Sequence, residues 1–381
     1  MKRVISVISA VLLTAGLHFP VAHAEEAPEI AAKAAVVISA DTGEVVYSLN
    51  SGEKLPMAST TKIMTALLCI ESGDLYSPFV VDSDAIRVEG SSMGLLPGDT
   101  VTKRALCAGM LLPSGNDGAN AAAVRVGGSI PAFLELMNAR AKQIGMTHSL
   151  FASPSGLDAE GHGASACDMA LLAREALKNP EFAAIYSRQT MTVCYGNPPY
   201  ARTLTNTNKL LGMDDTVIGV KTGYTDAAGR CLVSACRRQD RTLICVTLND
   251  RNDFAEHSAL YDYGFSGASE YMPPVPEQLA VQIEGGTAQT VFGYIREAPV
   301  MTAWYGVPPK YQVTPSIPPF LTAPVERGEK IGELIWRSGA VEIARTPLFA
   351  AETVQLAAES RQESWFFRMK YCIKRLLTNY N

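Results

Sequence analysis

The sequence predicts an α+β chain, an α/β sandwich with a smaller all-β domain behind it. Strand-like runs open the chain and return after residue 215, with a block of helical periodicity between them. Beyond residue 267 that periodicity stops, and ten prolines fall between Pro273 and Pro324. With 381 residues, 47% of them hydrophobic and 19% charged, the chain can bury the core such an architecture needs.

Met1, Lys2 and Arg3 precede an apolar run over 4–16 and then Ala22-His23-Ala24, the layout of a cleavable export signal. Residues 1–24 are therefore expected to be removed, and the mature protein to work outside the cytoplasm. Their apolar run is shorter than the roughly 20 residues a spanning helix needs. Residues 34–39 and 44–47 flank Asp41-Thr42-Gly43 as strand, turn and strand. From 58 to 72 the chain is apolar on nearly every face and stops at Gly73, the pattern of a buried helix. Further helices are expected over 103–112, 118–126, 130–144 and 168–177, the last signalled by Ser165 and Asp168 in a Ser-x-x-Asp start. A short strand over 216–220 leads into a hairpin of 230–237 and 241–248 around Gln239-Asp240. Alternation over 278–283 and 330–336, with turns at Gly285-Gly286 and Ser338-Gly339, makes the smaller β domain.

The formal net charge of −5, about −7 once Lys2 and Arg3 leave with the leader, offers no basic footprint for nucleic acid. Cys69, Cys107 and Cys245 sit inside apolar runs and no Cys-x-x-Cys occurs, so the eight cysteines read as small buried hydrophobes. Cys236 and Cys245 flank the hairpin turn, and their oxidation state stays open. His148, His162 and His257 are scattered without metal-ligand spacing, so neither a metal nor another cofactor is expected.

Three short motifs carry candidate chemistry. Ser59-Thr60-Thr61-Lys62 opens the buried helix, and a spacing of three puts hydroxyl and amine on one face of its first turn. Desolvation would hold that amine neutral and able to act as a base. Taken alone, Ser59 is as well explained as a helix cap, and Ser51-Gly52-Glu53-Lys54 repeats the spacing in a polar turn. Ser114-Gly115-Asn116-Asp117 lies between two helices, where a second hydroxyl and an amide project from a turn, or where a serine simply caps a helix. Lys221-Thr222-Gly223 follows a strand and could hold a carboxylate, with Gly223 admitting a peptide backbone, or be a charged strand end. Gly90-Ser91-Ser92-Met93-Gly94 fits the nucleophile-elbow pattern, but Leu95-Leu96-Pro97-Gly98 cannot readily begin the helix an elbow requires, so a loop is expected.

In combination and in this order the three motifs resemble the penicillin-binding DD-peptidase and serine β-lactamase superfamily. Longer matches are similar to its D-alanyl-D-alanine carboxypeptidases of low molecular mass: 57–66, Ser114-Gly115-Asn116-Asp117, Ser155-Gly156-Leu157-Asp158, and 219–226. The likeness spans about 28–265, and the tail resembles the family's C-terminal β domain. It implies a catalytic domain over 28–267 and a β domain over 274–355. It further implies that Ser59 attacks the D-Ala-D-Ala carbonyl, that Lys62 takes its proton and that Ser114 relays a proton to the leaving D-alanine. Asn116 would hold Lys62 and the substrate backbone, Lys221 and Thr222 the terminal carboxylate, and the backbone N–H groups of Ser59 and Tyr224 the oxyanion. Peptidoglycan stem peptides are the implied substrate and β-lactam antibiotics the implied covalent inhibitors. Many relatives carry His where this chain has Tyr224, which implies a changed rate or preference. Arg251 is a candidate carboxylate partner by family analogy, against the plainer reading of a surface arginine.

Over 360–381, Trp365, Phe366, Met369, Cys372, Ile373, Leu376 and Leu377 recur at helical spacing amid a net charge of about +4. An amphipathic helix lying in the membrane interface is expected there, anchoring the enzyme at the outer face of the cytoplasmic membrane. A β-lactamase-like hydrolase and a catalytically silent wall-binding scaffold stay as alternatives; an intact Ser59, Lys62, Ser114 and Lys221 set argues against the second.

Overall fold

The structure, a computed structural model, describes residues 26–275, 279–339 and 341–358. The predicted leader and terminal amphipathic helix lie outside the described residues. Strands β1 (Ala34–Ser39) and β2 (Val45–Leu49) form the predicted hairpin, and helix α1 (Lys62–Glu71) follows a 3-10 turn over Ala58–Thr61. After the short strands β3 (Phe79–Val80) and β4 (Thr100–Val101) comes the helical block: α2 (Lys103–Leu111), α3 (Asn116–Gly127), α4 (Ile130–Ile144), α5 (Ala166–Leu177) and α6 (Pro180–Tyr186). Ser165 accepts a hydrogen bond from the Asp168 N–H at the start of α5, as its start signal predicts. Strands β5 (Thr190–Gly196) and β6 (Pro199–Thr205) pair as a hairpin that sequence reading did not find.

The main sheet is completed by β7 (Val217–Thr225), β8 (Gly229–Arg238) and β9 (Arg241–Leu248), in the all-antiparallel order β2-β1-β9-β8-β7. Its central strands are covered on both faces, which is why they read as continuous apolar runs. Ala34, Val36 and Ile38 of β1, with Ile244, Val246 and Leu248 of β9, face the helical block. Val37, Leu243 and Cys245 point the other way, onto Leu260 and Tyr261 of α7 (Asp253–Ser266). The period of two along each strand thus serves two cores at once. The strand predicted over 216–220 runs on to Thr225, so Lys221-Thr222-Gly223 lies inside β7 rather than after it. Cys236 pairs with Leu243 and Cys245 with Ser234 across the hairpin, and both cysteines are free thiols.

Beyond α7, β10 (Ala268–Tyr271) pairs with β13 (Met301–Trp304). Strands β11 (Leu279–Glu284), β12 (Thr290–Tyr294), β14 (Gln312–Ser316), β15 (Leu321–Thr322), β16 (Lys330–Ser338) and β17 (Val341–Ala350) form a six-stranded sheet. Its core is separate, built around Val281, Val291 and Leu348 with Trp336 in an adjoining cluster. Trp336 is fully enclosed, donates from Nε1 to Thr346 Oγ1 at 3.1 Å and packs on the Tyr311 ring. Trp336→Ala is expected to destabilise this sheet by about 3–5 kcal/mol, read as a lower urea midpoint for the β domain in fluorescence-detected unfolding.

Candidate active site

Sequence places Ser59 in a 3-10 turn and Lys62 at the first position of α1. In a 3-10 turn, side chains three apart eclipse, which stacks the amine on the hydroxyl. The Lys62 amine is fully enclosed. It lies 2.8 Å from Ser59 Oγ, 2.7 Å from Asn116 Oδ1 and 2.6 Å from the Ser155 carbonyl oxygen. Burial, and next the charge of Lys221, push its pKa well below the ordinary lysine value, while Asp117 opposes them. A neutral amine has two N–H donors and one lone pair. Asn116 Oδ1 and the Ser155 carbonyl can only accept, so they take both donors. In the neutral form the lone pair would be left for the Ser59 O–H; in the ammonium form the third donor goes to Ser59 Oγ.

Close backbone approaches hold this arrangement. Ala58 has φ 47°, and its carbonyl would lie 2.0 Å from a Cβ placed on Gly156, which has φ 87°. Glycine at 156 therefore brings the Ser155 carbonyl within reach of Lys62. A Cβ on Gly223 would meet the Ser59 nitrogen at 2.9 Å, so glycine lets β7 lie directly over the backbone of Ser59. His162 braces the same turn. Its Nδ1 accepts the Ala152 N–H at 3.1 Å, leaving Nε2 to donate to Thr61 Oγ1 at 2.9 Å. Burial depresses the His162 pKa to about 4, which keeps the ring neutral for that role.

The other predicted residues converge on the same place. Ser114 sits in the left-handed region at φ 67°, a strained position for serine. Asn116, at the start of α3, donates from Nδ2 to the Glu89 carbonyl at 2.7 Å while its Oδ1 faces Lys62. Ser59, Ser114, Thr222, Gly223 and Tyr224 line one cleft of about 310 Å³ together with Ser91, Thr207, Lys209 and Arg230. Thr222 Oγ1 is 2.6 Å from Thr207 Oγ1. The Tyr224 side chain is exposed, with its hydroxyl donating to Asp226.

Two of the candidate carboxylate partners do not line the cleft, and for Arg251 this agrees with the plainer reading of a surface arginine. Lys221 is fully enclosed behind the cleft wall, donates to the Thr222 carbonyl at 2.9 Å and is pushed by burial to a pKa of about 7. Arg251 is exposed in the turn after β9 and does not line the cleft. The arginine that does is Arg230 of β8, opposite Tyr224 in the β7–β8 register. Its Nη2 donates to Asp253 at 2.7 and 3.0 Å, and its guanidinium lies 5.3 Å from the Phe254 ring centre. The β7–β8 alignment puts it there: the residue opposite Tyr224 shares its face of the sheet.

Comparison with known proteins gives this constellation a family. The family model described as D-alanyl-D-alanine carboxypeptidase matches residues 21–252. The chain is 32% identical to the D-alanyl-D-alanine carboxypeptidase DacF of Bacillus subtilis, covering 94% of this chain and 96% of that one. It is 33% identical to DacC of Escherichia coli, over 87% and 86% of the two chains. Among solved structures, DacD from Francisella tularensis superposes with a TM-score of 0.61 at 27% identity, over 87% of this chain and 95% of that one. Penicillin binding protein 5 from Haemophilus influenzae gives a TM-score of 0.63 at 25% identity, over 86% and 98%. With the family model spanning most of the chain and DacF alignable almost end to end, this protein belongs to the serine D-alanyl-D-alanine carboxypeptidases, penicillin-binding proteins of low molecular mass.

Proposed function

We propose that the enzyme removes the terminal D-alanine of peptidoglycan stem peptides through an acyl-enzyme on Ser59. The observation that carries this is the enclosed Lys62 amine, 2.8 Å from Ser59 Oγ and otherwise partnered only by the neutral Asn116 Oδ1 and Ser155 carbonyl oxygens. As Ser59 Oγ bonds to the penultimate D-alanine carbonyl carbon, its proton passes to Lys62. The backbone N–H groups of Ser59 and Tyr224 receive the oxyanion, each such donor contributing about 3–4 kcal/mol to lowering the barrier. The C–N bond then breaks, and the proton returns by way of Ser114 to the departing D-alanine amine. Water cleaves the ester and regenerates Ser59. A β-lactam presents a similar amide and leaves an adduct on the same oxygen.

Thr222 and Arg230 contact the terminal carboxylate, whereas the enclosed Lys221 acts on it through its field and adds like-charge repulsion to the burial that lowers the Lys62 pKa. The catalytic unit is residues 28–267 and the β unit 274–355. The leader-like 1–24 and amphipathic 360–381 patterns support export and attachment at the outer face of the cytoplasmic membrane, with the β unit as a stand. Family membership supports the wall substrate and the envelope location.

Ser59→Ala is expected to abolish both D-alanine release and the penicillin mass adduct; D-alanine release at the parent rate would place the nucleophile elsewhere. Arg230→Ala should raise KM for a D-Ala-D-Ala peptide roughly fivefold, a value reduced for solvent at the cleft mouth, with Arg251→Ala unchanged in steady-state kinetics. Lys221→Met should inactivate the enzyme yet stabilise it by about 2 kcal/mol at neutral pH. The sign follows from a folded pKa of about 7 lying below the unfolded value of about 10.4. The unfolded lysine holds a proton that the folded one resists. The penalty is fullest below pH 7 and fades as pH rises toward the unfolded value, so the gain in urea midpoint should shrink over that window.

A further inference from the structure

The stretch from Gly90 to Leu95, whose Gly-x-Ser-x-Gly pattern has no part in nucleophilic attack, is tied to the active site by one buried carboxylate. Asp117, the second residue of α3, accepts five hydrogen bonds. Oδ2 takes the Ser92 hydroxyl at 2.6 Å and the N–H groups of Gly94 and Leu95 at 3.0 Å each. Oδ1 takes the N–H groups of Met93 and Gly118 at 2.9 Å each. The Met93 side chain lies so close to Gly109 and Gly118 that a Cβ on either would meet its sulfur, at 2.1 and 2.8 Å. From the outer side, the Tyr195 hydroxyl donates to the Met93 carbonyl, and Arg202 donates to the Gly94 carbonyl at 3.0 Å. The Arg202 guanidinium lies over the rings of Tyr195 and Tyr200, 4.2 and 4.3 Å from their centres.

This clamped segment and the residue before it reach the proposed chemistry through two carbonyls. The Glu89 carbonyl accepts from Asn116 Nδ2, and the Ser91 carbonyl accepts from the Asn116 backbone N–H, both at 2.7 Å. A carbonyl can only accept, so Glu89 fixes which end of the Asn116 amide faces the loop. The opposite end, Oδ1, is thereby turned onto Lys62.

We propose that Asp117 is a positioning residue for acylation: by holding Gly90–Leu95 it fixes the Asn116 amide, and through it the orientation of the Lys62 amine toward Ser59. The inference rests on the Ser59–Lys62 acyl transfer proposed above. It gives the β5–β6 hairpin a task as well, since Tyr195 and Arg202 close the clamp from that side.

The test is Asp117→Asn, which keeps the size but offers one acceptor oxygen and an NH2 group to a ring of N–H donors. The acylation rate constant with benzylpenicillin, followed by mass spectrometry, should fall on the order of 100-fold, the usual consequence of misplacing a reacting group by about 1 Å. The acidic limb of its pH profile should also move to lower pH. Two charged groups act on Lys62, Lys221 from β7 and Asp117 from α3, and Asp117 is the one that favours its ammonium form. A residue that merely held the fold together would lower the rate without moving the limb. Ser92→Ala and Tyr195→Phe each delete one hydrogen bond of the clamp and should slow acylation roughly threefold. A folded Asp117→Asn protein with parental rate and limb overturns the proposal. Should that variant not fold, parental rates in both milder variants overturn it. Ser59→Ala keeps the two readings apart: loss of its adduct with an unaltered Asp117→Asn sinks only the clamp, and persistence of the adduct sinks the acyl-transfer reading itself.

Discussion

The site depends on burying a lysine without an acid to pair with it. Each hydrogen-bond partner of Lys62, namely Ser59, Asn116 and the Ser155 carbonyl, is neutral. A carboxylate there would have stabilised the ammonium and removed the base. Two carbonyl acceptors satisfy the donors of a neutral amine and add no charge. Much of the surrounding backbone serves that substitution: Gly156 lets the Ser155 carbonyl come close, and the α3 terminus delivers Asn116 from the other side.

Such a centre works against stability, and the fold absorbs the cost elsewhere. Lys62 and Lys221 are both enclosed near each other, and Ala58 and Ser114 both occupy the left-handed region. Each strained backbone position costs on the order of 1–3 kcal/mol. Around them the helical block and the sheet share one continuous core in which Ile63, Met64, Leu106 and Phe133 are fully enclosed. Strain and desolvation thus concentrate around the Ser59 hydroxyl and the Lys62 amine, where pre-organisation would lower the barrier of the proposed reaction, while ordinary apolar packing holds the frame.

The elements that show a strong period were legible in the sequence. The β1–β2 hairpin, helices α1 to α5 and the β8–β9 hairpin lie close to where apolar spacing put them. Ser59, Lys62, Ser114 and Asn116 could be named because their chemistry lies in side chains at short, fixed spacings. Lys221-Thr222-Gly223 was found but placed after a strand, since a charged residue reads locally as a strand end. Only the 3-10 turn beneath it shows why β7 needs that glycine and continues to Thr225. The β5–β6 hairpin escaped because few of its residues, among them Val193, Tyr195 and Leu204, are buried, leaving little alternation to detect. Arg230 escaped for a different reason. Its place at the cleft follows from pairing with Tyr224, a relation that exists only once β7 and β8 are aligned. The Ser155 and Glu89 carbonyls have no signature in side-chain identity.

The position of β7 explains why the cleft forms where it does. It is the edge strand of the five-stranded sheet, beside β8 alone. An open edge presents unpaired backbone groups, which proteins ordinarily cover or blunt. Here the 3-10 turn covers it at Gly223, where the strand passes over Ser59, and the adjoining residues Thr222 and Tyr224 face the cleft. An extended peptide can lie along such an edge by main-chain hydrogen bonding, which fixes its direction and depth whatever its side chains. Under the proposed function, specificity is then left to the peptide's terminus, near Thr222 and Arg230 in the cleft lining. On the proposed mechanism, a sheet edge that would otherwise invite aggregation holds the scissile bond over the Ser59 hydroxyl, beside the enclosed Lys62 amine.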